Sequence, residues 1–219
     1  MKSYATTRYP YFPDRKIVWE EICRYLNRHY ISNDSEILEL GSGYGDFIGN
    51  IHAKKRVAIE NDIVFKEYLS DYPNVTVHYL DAKAALKTFP KRSFDVVFCS
   101  NFFEHFEISE VRELLDLIAV VLKTGGKLVV LQPNFQLCSP LYFDDWTHKT
   151  AFSHVSLSDL LQCHGFNIYS CIKKFLPFSM KSRLPISRGL VRLYLNSPVK
   201  PFAAQFLIVA VVSRSKTQE

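Results

Sequence analysis

The sequence predicts a doubly wound α/β fold, a mostly parallel sheet with helices on both faces. Three observations predict it. Short β-branched and apolar runs alternate with helical patterns along most of the 219 residues, which implies parallel strands joined by crossover helices. The first such run ends abruptly in glycines, the turn chemistry of a strand that feeds a helix at a ligand-binding edge. A content of 47% hydrophobic and 14% aromatic residues suffices for a core on both faces and excludes a disordered chain.

Taken in order, Asp14 reads as the N-cap of a helix reaching Tyr30, with Ile17, Val18, Ile22, Cys23 and Leu26 on its buried side. Strands are expected at Glu36–Leu40, Arg56–Glu60, Val75–Leu80, Phe94–Cys99, Lys127–Leu131, Phe166–Cys171 and Gln205–Ser213. Helical patterns lie between them at Asp46–His52, Asp62–Ser70, Asp81–Lys87, Ser109–Leu122 and Ser156–His164. The longest is the clearest, because Val111, Leu114, Leu115 and Ile118 recur on one face. A single domain over 1–219 follows: 1–30 a helical lid, 31–172 the ligand-binding core, 173–204 a basic insertion without clear period, and 205–213 the last strand.

Five cysteines, an odd number and nowhere spaced as CxxC, argue against a disulfide framework or a structural zinc site and for a reducing, cytoplasmic setting. The first residues contain no apolar signal region, and the longest apolar run, Phe206–Val212, is too short to cross a bilayer. The net charge of +5 is unevenly distributed, with −3 over residues 1–159 and +8 over 160–219. Such asymmetry directs attention to an anionic partner on one side of the molecule.

Four of the eight glycines, Gly41, Gly43, Gly45 and Gly49, fall within nine residues after the first strand. Glycines there let backbone N–H groups approach a nucleotide-like ligand closely. The spacing is GxGxG, and Asp46 stands where the dinucleotide fingerprint GxGxxG would require glycine, so NAD is disfavoured. At the end of the second strand Glu60 offers a carboxylate, and two hydrogen bonds to one carboxylate suit a vicinal diol.

Glu39-Leu-Gly-Ser-Gly-Tyr-Gly45 resembles the first motif of class I S-adenosylmethionine-dependent methyltransferases, and the resemblance continues strand by strand over about 35–170. It implies a Rossmann-like seven-stranded sheet in the order 3-2-1-4-5-7-6, its last strand antiparallel, with the insertion between strands 6 and 7. It implies S-adenosyl-L-methionine as cofactor, held by Glu39, Gly41, Gly43 and Gly45, by Glu60 at the ribose, by Asp81 and Ala82 near the adenine, and by Ser100 and Asn101 under the methionine. Asp81 also has the place of a helix N-cap, and Asp95 reads as structural.

Transfer to a hydroxyl requires a base placed to take its proton, and histidine is the default. Of the seven histidines, His29, His52, His78 and His164 sit in surface, strand or helix-end patterns. His105 follows strand four at the binding edge, while His148 and His154 lie in the long segment after strand five. Asp145-x-x-His148 and the residues after it resemble a subgroup found with bacterial surface-polysaccharide and glycan genes, which implies a sugar or lipid-linked acceptor. A carboxylate can fix an imidazole's tautomer; His148 is therefore expected as base, Asp145 as its orienter and His105 beside them. Related metal-dependent enzymes have Glu-x-x-Glu-His after strand four. Here Asn101 replaces the first Glu, so one hard anionic ligand is missing and no metal is expected, with a weak site of Glu104, His105 and a loop histidine as the alternative.

From Lys173 to Lys200 seven cations and no acid alternate with apolar residues. A basic, apolar lip is expected to receive a phosphate-bearing or lipid-linked acceptor, or to rest on an anionic membrane surface. Within it Ser187–Asn196 reads as a helix with Arg188 and Arg192 on one face. A pI near 8.9 over one domain is a weak footprint for nucleic acid.

Overall fold

The computed structural model describes residues 11–178 and 186–213. The expected helix before the sheet is α1 (Arg15–His29). Strands β1 (Glu36–Leu40), β2 (Lys55–Ile59), β3 (Thr76–His78), β4 (Phe94–Ser100), β5 (Leu122–Pro133), β6 (Phe166–Pro177) and β7 (Ala203–Val212) follow. Between them lie α2 (Lys66–Leu69), α3 (Ala82–Leu86), α4 (Ile108–Val121), α5 (Phe135–Tyr142), α6 (His154–Cys163) and α7 (Arg188–Asn196). The strands form one sheet in the order β3-β2-β1-β4-β5-β7-β6, with β7 antiparallel to both β5 and β6. This is the predicted methyltransferase-type topology.

The strand sequences explain why both faces are covered. Successive side chains point to opposite faces. Leu38, Leu40, Val97, Cys99, Leu128 and Val130 join one core with α3, α4 and α6. Their alternates Ile37, Val96, Phe98, Val129 and Leu131 join a second core with Val18, Trp19, Ile22 and Leu26 of α1 and Leu195 of α7. Both sets are buried, so the strands read as continuous apolar runs. Asp95 is structural, accepting from Glu36 N–H at 2.8 Å and Lys123 Nζ at 2.9 Å.

Two segments differ from expectation. Residues 43–50 make consecutive turns where a helix was expected over Asp46–His52. The buried Glu39 carboxylate accepts the Ile48 N–H at 3.1 Å, and helix-type bonds are interrupted around it, with Gly49 N–H on Gly45 O at 2.8 Å and Ile51 N–H on Phe47 O at 2.9 Å. Strand β6 runs to Pro177, into the segment read as irregular.

Helix α7 forms as predicted, with Ser187 Oγ accepting from Leu190 N–H, but its arginines face the fold. Arg188 bonds Glu20 through Nε at 3.0 Å, and Arg192 bonds Glu21 through Nε at 2.9 Å and Nη2 at 3.0 Å. Two of the cations that suggested an anionic partner thus tie α7 to α1. Lys181 and Arg183 lie outside the described residues. No helix among the described residues is long and apolar enough to cross a membrane.

Candidate active site

The carboxyl ends of β1, β2, β4 and β5 open into a cavity of about 630 Å³. Gly41, Gly43, Glu60, Asp81, Ala82, Ser100, Asn101, His105, Asp145 and His148 line it, so most of the sequence-predicted site residues meet there. Glu39 and Gly45 do not line it; they shape the wall behind it.

The turn after β1 is built for close approach. Gly41, Gly43 and Gly45 have φ of 69°, 50° and 76°, in the left-handed region that favours glycine. A Cβ on Gly41 would lie 2.9 Å from the Phe102 ring, so that wall leaves no room for a side chain. Glu60 Oε2 accepts the Gly43 N–H at 2.7 Å and Oε1 accepts the Asp62 N–H at 2.9 Å. Burial raises the Glu60 pKa above the usual carboxylate value, with these backbone bonds pulling the other way. The residue is thereby locked at the cavity wall, as a diol-binding carboxylate needs to be. Asp81 does the capping job, taking Lys83 N–H at 2.9 Å and Ala84 N–H at 3.2 Å while lining the cavity. Asn101, at φ 47°, turns the chain out of β4.

Asp46, the residue that breaks the dinucleotide fingerprint, has its own task. It is buried and accepts from Arg15 Nε at 2.7 Å, and the Arg15 guanidinium sits 4.7 Å above the Tyr44 ring centroid. Phe12, Arg15 and Trp19, at or before α1, thus line the cavity. Sequence reasoning missed them, because no local pattern announces a contact between residues 31 positions apart.

At the other end, the loop after β5 meets the turn after β4. His148 Nδ1 lies 2.6 Å from the Tyr142 carbonyl oxygen. A carbonyl can only accept, so Nδ1 bears the proton and Nε2 the lone pair. Asp145 is less directly placed than expected: its Oδ2 is 4.0 Å from His148 Nε2, beyond hydrogen-bond range. Its short bonds go to Thr147, from Oγ1 at 2.7 Å and from N at 3.1 Å. Against its burial, those bonds hold the Asp145 carboxyl below its usual pKa. Thr147 Oγ1, its proton given to Asp145, lies 2.9 Å from His105 Nδ1, so Asp145 orients His105 through a hydroxyl. Burial and the neighbouring His148 push His105 below the usual imidazole pKa, leaving it neutral at pH 7. His154 does not line the cavity; it pairs with Asn134 Nδ2 at 3.1 Å.

Glu104 is fully buried, and among the described residues no side chain hydrogen-bonds its carboxyl oxygens. Burial pushes its pKa up to about 8, so it holds a proton at neutral pH. Glu104, His105 and His148 bring ligand-type atoms within 4.8 Å of one another. A cation there would have to displace the Glu104 proton and gather the three atoms more tightly, since two ligands at ~2.1 Å from one ion are at most ~4.2 Å apart.

Residues 38–130 match the family model described as a methyltransferase domain. No curated protein matches the chain. Among solved structures, it is similar to an S-adenosylmethionine-dependent methyltransferase from Archaeoglobus fulgidus, with TM-score 0.68 at 21% identity over 95% of this chain and 97% of that one. It is similar also to the PH0226 protein from Pyrococcus horikoshii, with TM-score 0.68 at 16% identity over 97% and 100%. Residues 38–130 thus match a methyltransferase domain model, and the chain as a whole is similar in fold to solved S-adenosylmethionine-dependent methyltransferases.

Proposed function

We propose that the protein transfers a methyl group from S-adenosylmethionine to a hydroxyl of a sugar or glycan intermediate, with His148 as general base. One observation carries this reading: a single cavity joins a glycine turn and a backbone-locked Glu60 at one end to an imidazole of assigned tautomer at the other. The residues fit the cofactor. Gly41 and Gly43 leave the wall free of side chains, Glu60 suits the ribose diol, and Asp81 and Ala82 lie where the base would sit. When bound, S-adenosylmethionine supplies a sulfonium methyl group that is already electrophilic. The chain's task is then to align the acceptor and exclude water. His148 Nε2 takes the hydroxyl proton as the new C–O bond forms, and Tyr142 O stabilises the resulting imidazolium through Nδ1–H. His105, held neutral and oriented through Thr147, narrows the space available to the acceptor.

The rim of this end is apolar: Leu141, Phe143 and Trp146 are 49%, 54% and 76% exposed. Flat apolar surface beside hydrogen-bonding groups suits a sugar ring or a lipid-linked one. Peripheral contact with an anionic membrane is supported by exposed Leu190, Leu193, Val199 and Phe202 on and after α7, with Lys173 and Lys174 exposed on β6.

Incubation with methyl-labelled cofactor and fractionated cell glycans, lipids and RNA tests the proposal. Label in a glycan or glycolipid fraction is expected, and label confined to RNA would redirect the reading. Calorimetric binding of the cofactor without transfer to any fraction would mark a regulatory domain instead.

A further inference from the structure

Five carboxyl groups besides the protonated Glu104 line the cavity: Glu60, Asp62, Asp81, Asp144 and Asp145. Among the described lining residues, Arg15 alone bears a permanent positive charge, and it is engaged with Asp46. Such a field suits a sulfonium and opposes an anion.

Gln205 adds a directional constraint. It stands near the start of β7, opposite Pro133 in the β5–β7 register, and lines the cavity at 3% exposure. Its Nε2 donates to the carbonyls of Pro177 at 2.8 Å and Phe178 at 3.3 Å. Turning the amide over would set its oxygen against those two carbonyls, so the orientation is determined. Both amide hydrogens are used, and Oε1 is left buried without a partner. A buried acceptor without a donor costs stability, which a ligand hydrogen would restore.

His148 Nε2 and the Asp144 and Asp145 carboxylates are also acceptors. A ligand at this end must therefore bring hydrogens. An uncharged amide oxygen is satisfied by a hydroxyl hydrogen. A phosphate brings no hydrogens and meets the wrong field.

We propose that Gln205 and Asp144 form an acceptor subsite that takes a neutral, hydroxyl-bearing ring and turns away an anionic one. The proposal rests on reading the His148 end as the acceptor end. It alters the sequence expectation of a phosphate-bearing acceptor: any phosphate stays outside the cavity.

The test uses the full chain saturated with S-adenosylhomocysteine, whose binding is first measured by calorimetry. Failure there defeats the methyltransferase reading itself. Saturation-transfer NMR then compares a panel of methyl glycosides of neutral hexoses with their 6-phosphates. At least one neutral glycoside is expected to bind tenfold or more tightly than its phosphate counterpart. Gln205→Met should abolish glycoside binding while leaving S-adenosylhomocysteine affinity within twofold. Asp144→Asn, which keeps shape and removes charge, should narrow the phosphate discrimination at least threefold. Normal S-adenosylhomocysteine binding with no glycoside signal, or with equal or tighter binding of the phosphate, overturns the subsite. So does a Gln205→Met protein that binds glycosides normally.

Discussion

His148 Nδ1 lies 2.6 Å from the Tyr142 carbonyl oxygen, and that one contact leaves the ring's lone pair on Nε2. A base held in this tautomer contributes about 10²–10⁴-fold to proton-transfer chemistry. His148→Ala should therefore lower the single-turnover rate by about that factor, with cofactor affinity unchanged. An equal loss of affinity would show that His148 shapes the cofactor end instead.

Glu60 should govern cofactor affinity. Glu60→Gln keeps one acceptor oxygen and loses the charge, and is expected to weaken cofactor binding about tenfold, the equivalent of ~1.4 kcal/mol. Because the ionised form accepts the hydrogen bonds, affinity should also fall on acidification through the raised Glu60 pKa. Calorimetry from pH 7 to pH 5 checks this, and a flat profile would show that the ribose is held elsewhere.

Glu104 predicts the pH dependence of stability. Its pKa is about 8 in the fold, against about 4.3 in an unfolded chain. The folded state thus holds an extra proton between these values, and stability falls as pH rises through that window. Glu104→Gln keeps the neutral shape and should flatten the slope by one proton, raising Tm relative to the wild type at pH 8. Parallel Tm curves from pH 5 to pH 8 would contradict the assignment.

The Arg15–Asp46 pair, with side chains 3% and 8% exposed, joins α1 to the glycine turn. Removing one partner of a buried pair leaves an uncompensated charge at a cost of ~3–5 kcal/mol. Arg15→Met should be destabilised on that scale in urea titration, and adding Asp46→Leu should restore a substantial part. Additive losses would mean that the two charges do not share one site.

A metal requirement would rest on Glu104, which burial keeps protonated, and on a site that lacks an acid at Asn101. Initial rates of methyl transfer should be unchanged by EDTA and by added Mg²⁺ or Mn²⁺. Loss in EDTA, restored by either ion, would reassign Glu104, His105 and His148 as ligands.

Local chemistry in the sequence was enough to determine the strands, their two-sided burial and the left-handed glycine turn at the cavity wall. Those features depend on short-range rules: apolar runs make buried strands, glycines make left-handed turns, and Asp81 caps the helix it precedes. The sheet order became legible only through the motif resemblance, since alternation by itself does not order strands.

What remained was decided by contacts between residues far apart in the chain. Asp46 meets Arg15, and Arg188 and Arg192 meet Glu20 and Glu21, so part of the charge asymmetry is neutralised within the molecule. Asp145 reaches His105 through Thr147, although spacing pointed to His148. Gln205, unremarkable in its strand, acquires a defined orientation from the Pro177 and Phe178 carbonyls. A hydrogen bond depends on distance and angle within tenths of an ångström, and only the packed sheet brings partners 27 to 171 positions apart to that precision.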